Sequence, residues 1–162
     1  MIATDIPAEE QGTGMLFNMD GEVVGMISSS VWNDTGKNVV NAYGISDLKP
    51  IIELLINGKD VPYIGIYGTT VTEQLAEEHK MPSGIYVADV DPDSPAMAAG
   101  IQIGDIICEA SGEEIKDIAA YQNIVIGSSV GETMEFVGKR LGSDGYVNIK
   151  FSVVTTEKEE VK

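Results

Sequence analysis

Residues 94–107 read SPAMAAGIQIGDII, and they give the clearest structural signal in the chain. Pro95 suits the first position of a helix, where the missing N–H costs nothing. Gly100 suits the left-handed residue that ends a helix, and Gly104 with Asp105 favours a tight turn into the apolar residues that follow. The stretch therefore predicts a short helix, a turn and a strand in close succession.

Further predicted elements follow from hydrophobic spacing and capping residues. Alternating apolar residues bounded by glycine indicate strands. Thr72 and Asp117 are suitable N-caps for two further helices. The expected strands cover 63–70, 84–90, 106–110, 113–115, 132–140 and 146–154, and the expected helices cover 73–78 and 118–126.

The first third of the chain has a separate pattern. Asp20-Gly21 lies between two apolar runs, which is a strong hairpin signal. Polar loops are expected at 6–14 and 28–38, a strand at 39–45, and a linker helix at 47–57, which Gly58 ends. We expect three segments: residues 1–59, residues 60–156, and a disordered tail at 157–162.

Composition excludes several function classes. The chain has 162 residues and a net charge of −16, which disfavours nucleic acid because phosphates need Lys and Arg. One Cys and one His cannot form a Cys/His zinc site. Asp89, Asp91 and Asp93 alternate as they would in a calcium-binding loop, but Pro92 breaks the EF-hand pattern. No apolar run reaches the length of a membrane span, and we expect no metal and no cofactor.

Several motifs together resemble the HtrA (Deg) family of trypsin-like serine proteases. Residues 94–107 resemble the SPAxxAGlxxGDxI signature of its PDZ domains, and residues 63–66, YIGI, resemble its carboxylate-binding loop. Residues 4–26, 42–46 and 49–58 resemble the end of the protease barrel and the helix that follows it. The resemblance implies a mainly β fold with short helices (α+β). In it, a PDZ-like, partly open β-barrel at 60–156 follows a partial trypsin-like β-barrel segment.

The resemblance also implies a peptide-binding site. A C-terminal carboxylate needs several N–H donors in one concavity, and successive backbone amides can supply such a nest. Gly65 permits close approach of the backbone, and the strand beyond it can pair with an incoming peptide. The helix after Asp117 would form the other wall of the groove. The spacing of its apolar residues leaves open which side chain faces the groove. The candidates are Tyr63, Ile64, Gly65, Ile66, Tyr67, Tyr121, Ile124 and Val125.

The family's catalytic serine has no counterpart in this alignment. Its position falls on Gly12, or on Thr13 if one residue is skipped. A triad also needs a general base, and we interpret the only histidine, His79, as a surface residue. We therefore expect no catalytic residue in this chain, and we expect it to be a fragment of a longer protein.

The resemblance implies an extracytoplasmic protein of the bacterial envelope, with a parent that is exported or membrane-anchored. The expected partners are C-terminal or extended peptides of unfolded proteins, captured for proteolysis or its regulation. Two alternatives stay open: a fragment of an active endopeptidase, or a pseudoprotease scaffold. Self-assembly is also open, because the family trimer uses the whole barrel while exposed strand edges favour a dimer.

Overall fold

A computed structural model describes residues 2–7, 12–28 and 39–158. The chain divides into two compact units, Met1–Ile56 and Asn57–Lys162. The loop predicted around Trp32, at 28–38, lies almost entirely outside the described residues.

The first unit is an antiparallel sheet with the strand order β1-β4-β3-β2, followed by a helix. Its first strand was missed by the sequence analysis, which placed a loop from Ile6 onward. The predicted linker helix begins two residues earlier than expected, so that Pro50 lies in its second turn. The elements are β1 (Ile2–Pro7), β2 (Gly14–Phe17), β3 (Val23–Ile27), β4 (Val39–Gly44) and α1 (Ile45–Ile56).

The buried apolar residues of this first sheet lie on one face. Ile27, Val40 and Ala42 form its core, with Leu16 packed against them. Successive side chains of a strand point to opposite faces, so the neighbouring residues emerge on the other side. Met15 pairs across the strands with Met26, and both are exposed, so this face carries uncovered apolar side chains.

The second unit is built on a six-stranded antiparallel sheet. Its main path is β11-β10-β8-β7-β6, with β9 paired to β8, while β12 pairs with β5 in a separate ladder. This mainly β arrangement with short helices confirms the predicted fold class. The elements are β5 (Pro62–Tyr63), β6 (Ile66–Val71), α2 (Glu73–His79), β7 (Gly84–Val90), α3 (Pro95–Ala98), β8 (Ile106–Ala110), β9 (Glu113–Glu114), α4 (Ile118–Gly127), β10 (Thr133–Gly142), β11 (Gly145–Val154) and β12 (Thr156–Glu157).

The opening stretch forms the predicted helix, turn and strand. Ser94 caps α3, accepting a hydrogen bond from the Met97 N–H at 3.2 Å, and Gly100 has a φ of +87°. Asp105 is 1% exposed. Arg140 reaches it from β10 with Nε–Oδ1 at 2.6 Å and also donates to the Gly100 carbonyl at 2.9 Å. This pairing raises the pKa of Arg140 and fixes the turn against the sheet.

Two details of the second unit differ from expectation. The strand predicted at 63–70 is interrupted at Gly65, whose φ of +83° breaks it into β5 and β6. The predicted tail is partly built into the fold, because Glu157 pairs with Pro62 in the ladder between β12 and β5. Residues 159–162 of that tail lie outside the described residues. Within the described parts of the chain, no helix has the length and apolar composition needed to cross a bilayer.

Candidate functional site

The groove that contains most of the predicted site residues lies between β6 and α4. In the described chain β6 ends the sheet, pairing only with β7, so its outer edge can accept another strand. The Ile118 N–H at the start of α4 donates to Thr70 Oγ1 on β6 at 3.1 Å, which ties one end of the helix to the strand. A cavity of about 230 Å³ lies at the other end, beside β5 and the loop that joins it to β6.

The backbone carbonyl groups of Ile64 and Gly65 both accept hydrogen bonds from other parts of the second unit. The Ile64 carbonyl accepts from the Ala96 N–H, and the Gly65 carbonyl accepts from the Asp91 N–H, both at 2.9 Å. The N–H groups of Ile64 and Gly65 donate to no acceptor in the described residues. The loop therefore presents two unpaired backbone donors at the end of the cavity.

Glycine is required at position 65 for two reasons. A left-handed φ disfavours any residue with a Cβ. A Cβ built here would also lie 2.3 Å from the Cβ of Ser94, the cap of α3. The opening stretch and the loop are thus in direct contact, because α3 and its cap pack beneath Gly65 and hold it in position.

A polar cluster lies beside the loop. The Tyr63 and Tyr67 hydroxyls both donate to Asp91 Oδ2, the latter at 2.8 Å. Lys158 Nζ donates to the Tyr67 hydroxyl at 3.0 Å and lies 3.8 Å from Asp91 Oδ2. The hydrogen bonds from Tyr63 and Tyr67 hold the pKa of Asp91 below its usual value, while burial and the bond to Asp91 raise the pKa of Tyr63.

The wall opposite the loop comes from one face of α4. Tyr121 and Val125 line the cavity as the sequence analysis proposed, and burial raises the pKa of the Tyr121 hydroxyl. Ile124 does not line it and packs against the core of the unit. Gln122 and Ile126 line the cavity and were missed, although their four-residue spacing matches that of Tyr121 and Val125.

Tyr63, Ile64, Gly65, Ile66 and Tyr67 all line the same cavity. Pro62 and Lys158 complete the lining and were also missed. Pro62 belongs to the strand that precedes the loop. No sequence signal pointed to Lys158, because the tail was expected to be disordered.

A second, wider cavity of about 1010 Å³ is bordered by α3, β11 and β12. It shares Tyr63 and Lys158 with the smaller one, but Ile64 and Gly65 line only the smaller cavity. We therefore place the candidate site in the smaller cavity, where free backbone donors, apolar walls and a strand edge meet.

The positions considered for catalysis are distributed over both units. Gly12 and Thr13 lie in irregular backbone before β2, in the first unit. His79 is exposed near the end of α2, in the second unit. Cys108 lies in β8, where burial raises the pKa of its thiol, so the thiolate is disfavoured.

Comparison with known proteins adds family evidence. A PDZ-domain family profile matches residues 86–140. A probable periplasmic serine endoprotease, DegP-like, of Halomonas elongata is 30% identical over 91% of this chain and 32% of its own length. The chain thus spans about a third of the curated relatives it matches.

Two solved structures have a similar fold. The serine endoprotease from Yersinia pestis is 26% identical with a TM-score of 0.51, covering 90% of this chain and 47% of that one. The HtrA-type protease AlgW with decapeptide is 21% identical with a TM-score of 0.57, covering 91% and 46%. The sequence motifs, the PDZ-profile match and the similarity to the curated serine endoproteases show that the chain belongs to the HtrA family and contains a PDZ domain.

Proposed function

We propose that the second unit binds the C-terminal end of a peptide in the groove between β6 and α4. The two unpaired N–H groups of Ile64 and Gly65 are the observation that carries this proposal, because a carboxylate needs convergent donors. The incoming chain adds a strand to the free edge of β6. Its last side chain enters the cavity between Ile66 and Val125.

The size and lining of the cavity favour an aliphatic last residue. The volume of about 230 Å³ and the walls of isoleucine, valine and tyrosine suit Val, Leu or Ile. The solved structure of AlgW with a decapeptide supports the general idea, since that HtrA-type protease has a similar fold. Residues 60–156 are the PDZ domain of this proposal.

Calorimetry with paired peptides tests this function. One peptide ends in valine with a free carboxylate, and its partner has the same sequence with a C-terminal amide. We expect the free acid to bind at least tenfold more tightly, because the amide brings an N–H donor and no charge to the two loop donors. Equal affinity of the two peptides contradicts the proposal.

We further propose that this chain has no proteolytic activity of its own. The curated relatives named above are serine endoproteases, but Gly12 or Thr13 stands at the expected serine position. Incubation with a casein-like substrate is expected to give no turnover. Turnover that Thr13→Ala abolishes would overturn this proposal and favour an active endopeptidase.

We infer an extracytoplasmic location from the relatives, several of which are named as probable periplasmic endoproteases. Binding of exposed peptide ends there serves capture of unfolded proteins, for proteolysis or its regulation by a longer parent that is exported or membrane-anchored. A stable homo-oligomer, dimer or trimer, that binds neither peptide would instead favour the scaffold function, and light scattering measures it.

A further inference from the structure

The domain that is to receive a carboxylate is itself strongly acidic. Residues 60–156 contain fifteen Asp and Glu residues and five Lys and Arg residues. An anionic peptide end therefore approaches an unfavourable field, which is long-ranged at low salt. The proposed site needs a local positive charge, and the two loop amides supply only partial ones.

Among the described residues, Lys158 is the only charged side chain that lines the 230 Å³ cavity. The ladder between β12 and β5 carries it there, because Thr156 pairs with Tyr63 and Glu157 with Pro62. The ammonium lies 5.2 Å from the centroid of the Tyr63 ring and 5.7 Å from that of Tyr67. Such distances give cation–π attraction, so the charge is held at the cavity although 59% of the side chain is exposed.

The ammonium keeps donor capacity for a ligand. A lysine has three N–H donors, and in the described residues Lys158 uses one, to the Tyr67 hydroxyl at 3.0 Å. Asp91 lies 3.8 Å away, beyond hydrogen-bond distance, and its Oδ2 already accepts from Tyr63 and Tyr67. Two N–H groups therefore stay available at the cavity that Ile64 and Gly65 also line.

We propose that Lys158 is a specificity-determining residue, which selects the free α-carboxylate of a peptide over a neutral chain end. Tyr63, Tyr67 and Asp91 position it, and a ligand carboxylate takes up the unused donors in a charge-assisted bond. The inference rests on the proposed function of the groove. It assigns the charge recognition to a residue that the sequence analysis placed in a disordered tail.

Calorimetry on the full chain tests the role of Lys158 with the valine-terminated acid and amide peptides. We expect Lys158→Gln to weaken binding of the acid about tenfold and binding of the amide less than twofold. Lys158→Arg keeps the charge, and its affinity for the acid peptide is expected to stay within about threefold of the wild-type value. The acid affinity of the wild type is expected to fall with salt more steeply than that of Lys158→Gln.

Lys139→Gln is the matched control, because it removes one positive charge from β10, where Lys139 contacts Asn148. It is expected to change both affinities less than twofold. Equal losses for acid and amide in Lys158→Gln would mean that Lys158 only supports the structure, and would overturn the inference. If the wild type prefers the acid peptide and Lys158→Gln retains that full preference, only the proposed role of Lys158 is overturned. A wild type without preference overturns the groove proposal as well.

Discussion

The two units of this protein differ in how much apolar surface they bury. Among the described residues, the core of the second unit contains fifteen buried residues, and that of the first unit contains three. The first unit also leaves Met15 61% and Phe17 59% exposed, and it buries the side-chain amide of Asn41 without a partner for Nδ2 in the described residues. The second unit thus has the means to hold a groove in fixed geometry, while the first has a small core and several exposed apolar side chains.

Expressing each unit separately is expected to reveal the largest difference between them. Residues 57–162 are expected to unfold in one cooperative thermal transition, because their core is complete. Residues 1–56 are expected to show no cooperative transition, since a unit of this size with so little burial cannot offset its conformational entropy. Circular dichroism measures both, and a cooperative transition of residues 1–56 alone would show that their buried face suffices.

Alanine substitutions of two phenylalanines, one in each unit, are expected to give the next largest difference in stability. Phe136 on β10 is fully buried and Phe17 on β2 is mostly exposed. We expect Phe136→Ala to lower the free energy of unfolding of the second unit by about 4 kcal/mol, because it leaves a cavity in the core. Phe17→Ala, the control in the first unit, is expected to cost less than about 1 kcal/mol. Denaturant titration of the full chain measures both, and similar costs would contradict the proposed difference in cores.

Two glycines with nearly equal φ angles form the third pair. Gly65 has a φ of +83° and Gly21 a φ of +81°, so both substitutions to alanine incur backbone strain of about 1 kcal/mol. Only Gly65→Ala also drives a Cβ to 2.3 Å from the Cβ of Ser94, whereas no atom lies within 4 Å at Gly21. Gly65→Ala is therefore expected to abolish binding of the acid peptide and to lower the melting temperature of the second unit, with Gly21→Ala sparing both. Retained binding in Gly65→Ala would show that the loop tolerates a different geometry.

The smallest expected effect is a pH dependence confined to the second unit. The hydrogen bonds from Tyr63 and Tyr67 place the pKa of Asp91 in the folded state below its ordinary value of 3.8. The stability that Asp91 contributes is therefore complete above the ordinary value and is lost as the pH falls through the lower, folded value. Stability of the second unit in acid is expected to fall less steeply in Asp91→Asn. Tyr67→Phe, which removes one donor, is expected to give an intermediate slope, and an unchanged slope in both variants would argue against the cluster.

Local signals predicted most of the second unit. The caps at Thr72 and Asp117 form as expected, because each depends on a side chain and an N–H three residues away. Periodicity alone also found the strands of the main sheet. Contacts between residues distant in sequence were not predictable. Arg140 and Asp105 are 35 positions apart, and no local sequence pattern indicates that they pair.

Residues that line the candidate cavity were predicted where a motif contains them, and they were missed where only the fold brings them together. The loop at Gly65 was recognisable, but Lys158 reaches it through the pairing of β12 with β5, from the far end of the chain. In the first unit, β1 was missed because Thr4 and Asp5 are polar in a strand whose pairing with β4 is non-local. Sequence patterns specify which face of a strand is apolar, and they do not specify what covers it.

Backbone NMR of the full chain observes the two loop donors themselves and therefore tests whether they bind the carboxylate. On titration with the valine-terminated acid, the amide proton resonances of Ile64 and Gly65 are predicted to move downfield as each N–H gains a carboxylate acceptor, with much smaller changes for the amide peptide. Resonances of the first unit, such as that of Phe17, serve as the internal reference and are predicted to stay in place. Binding that leaves the Ile64 and Gly65 resonances unmoved would contradict carboxylate binding by this loop.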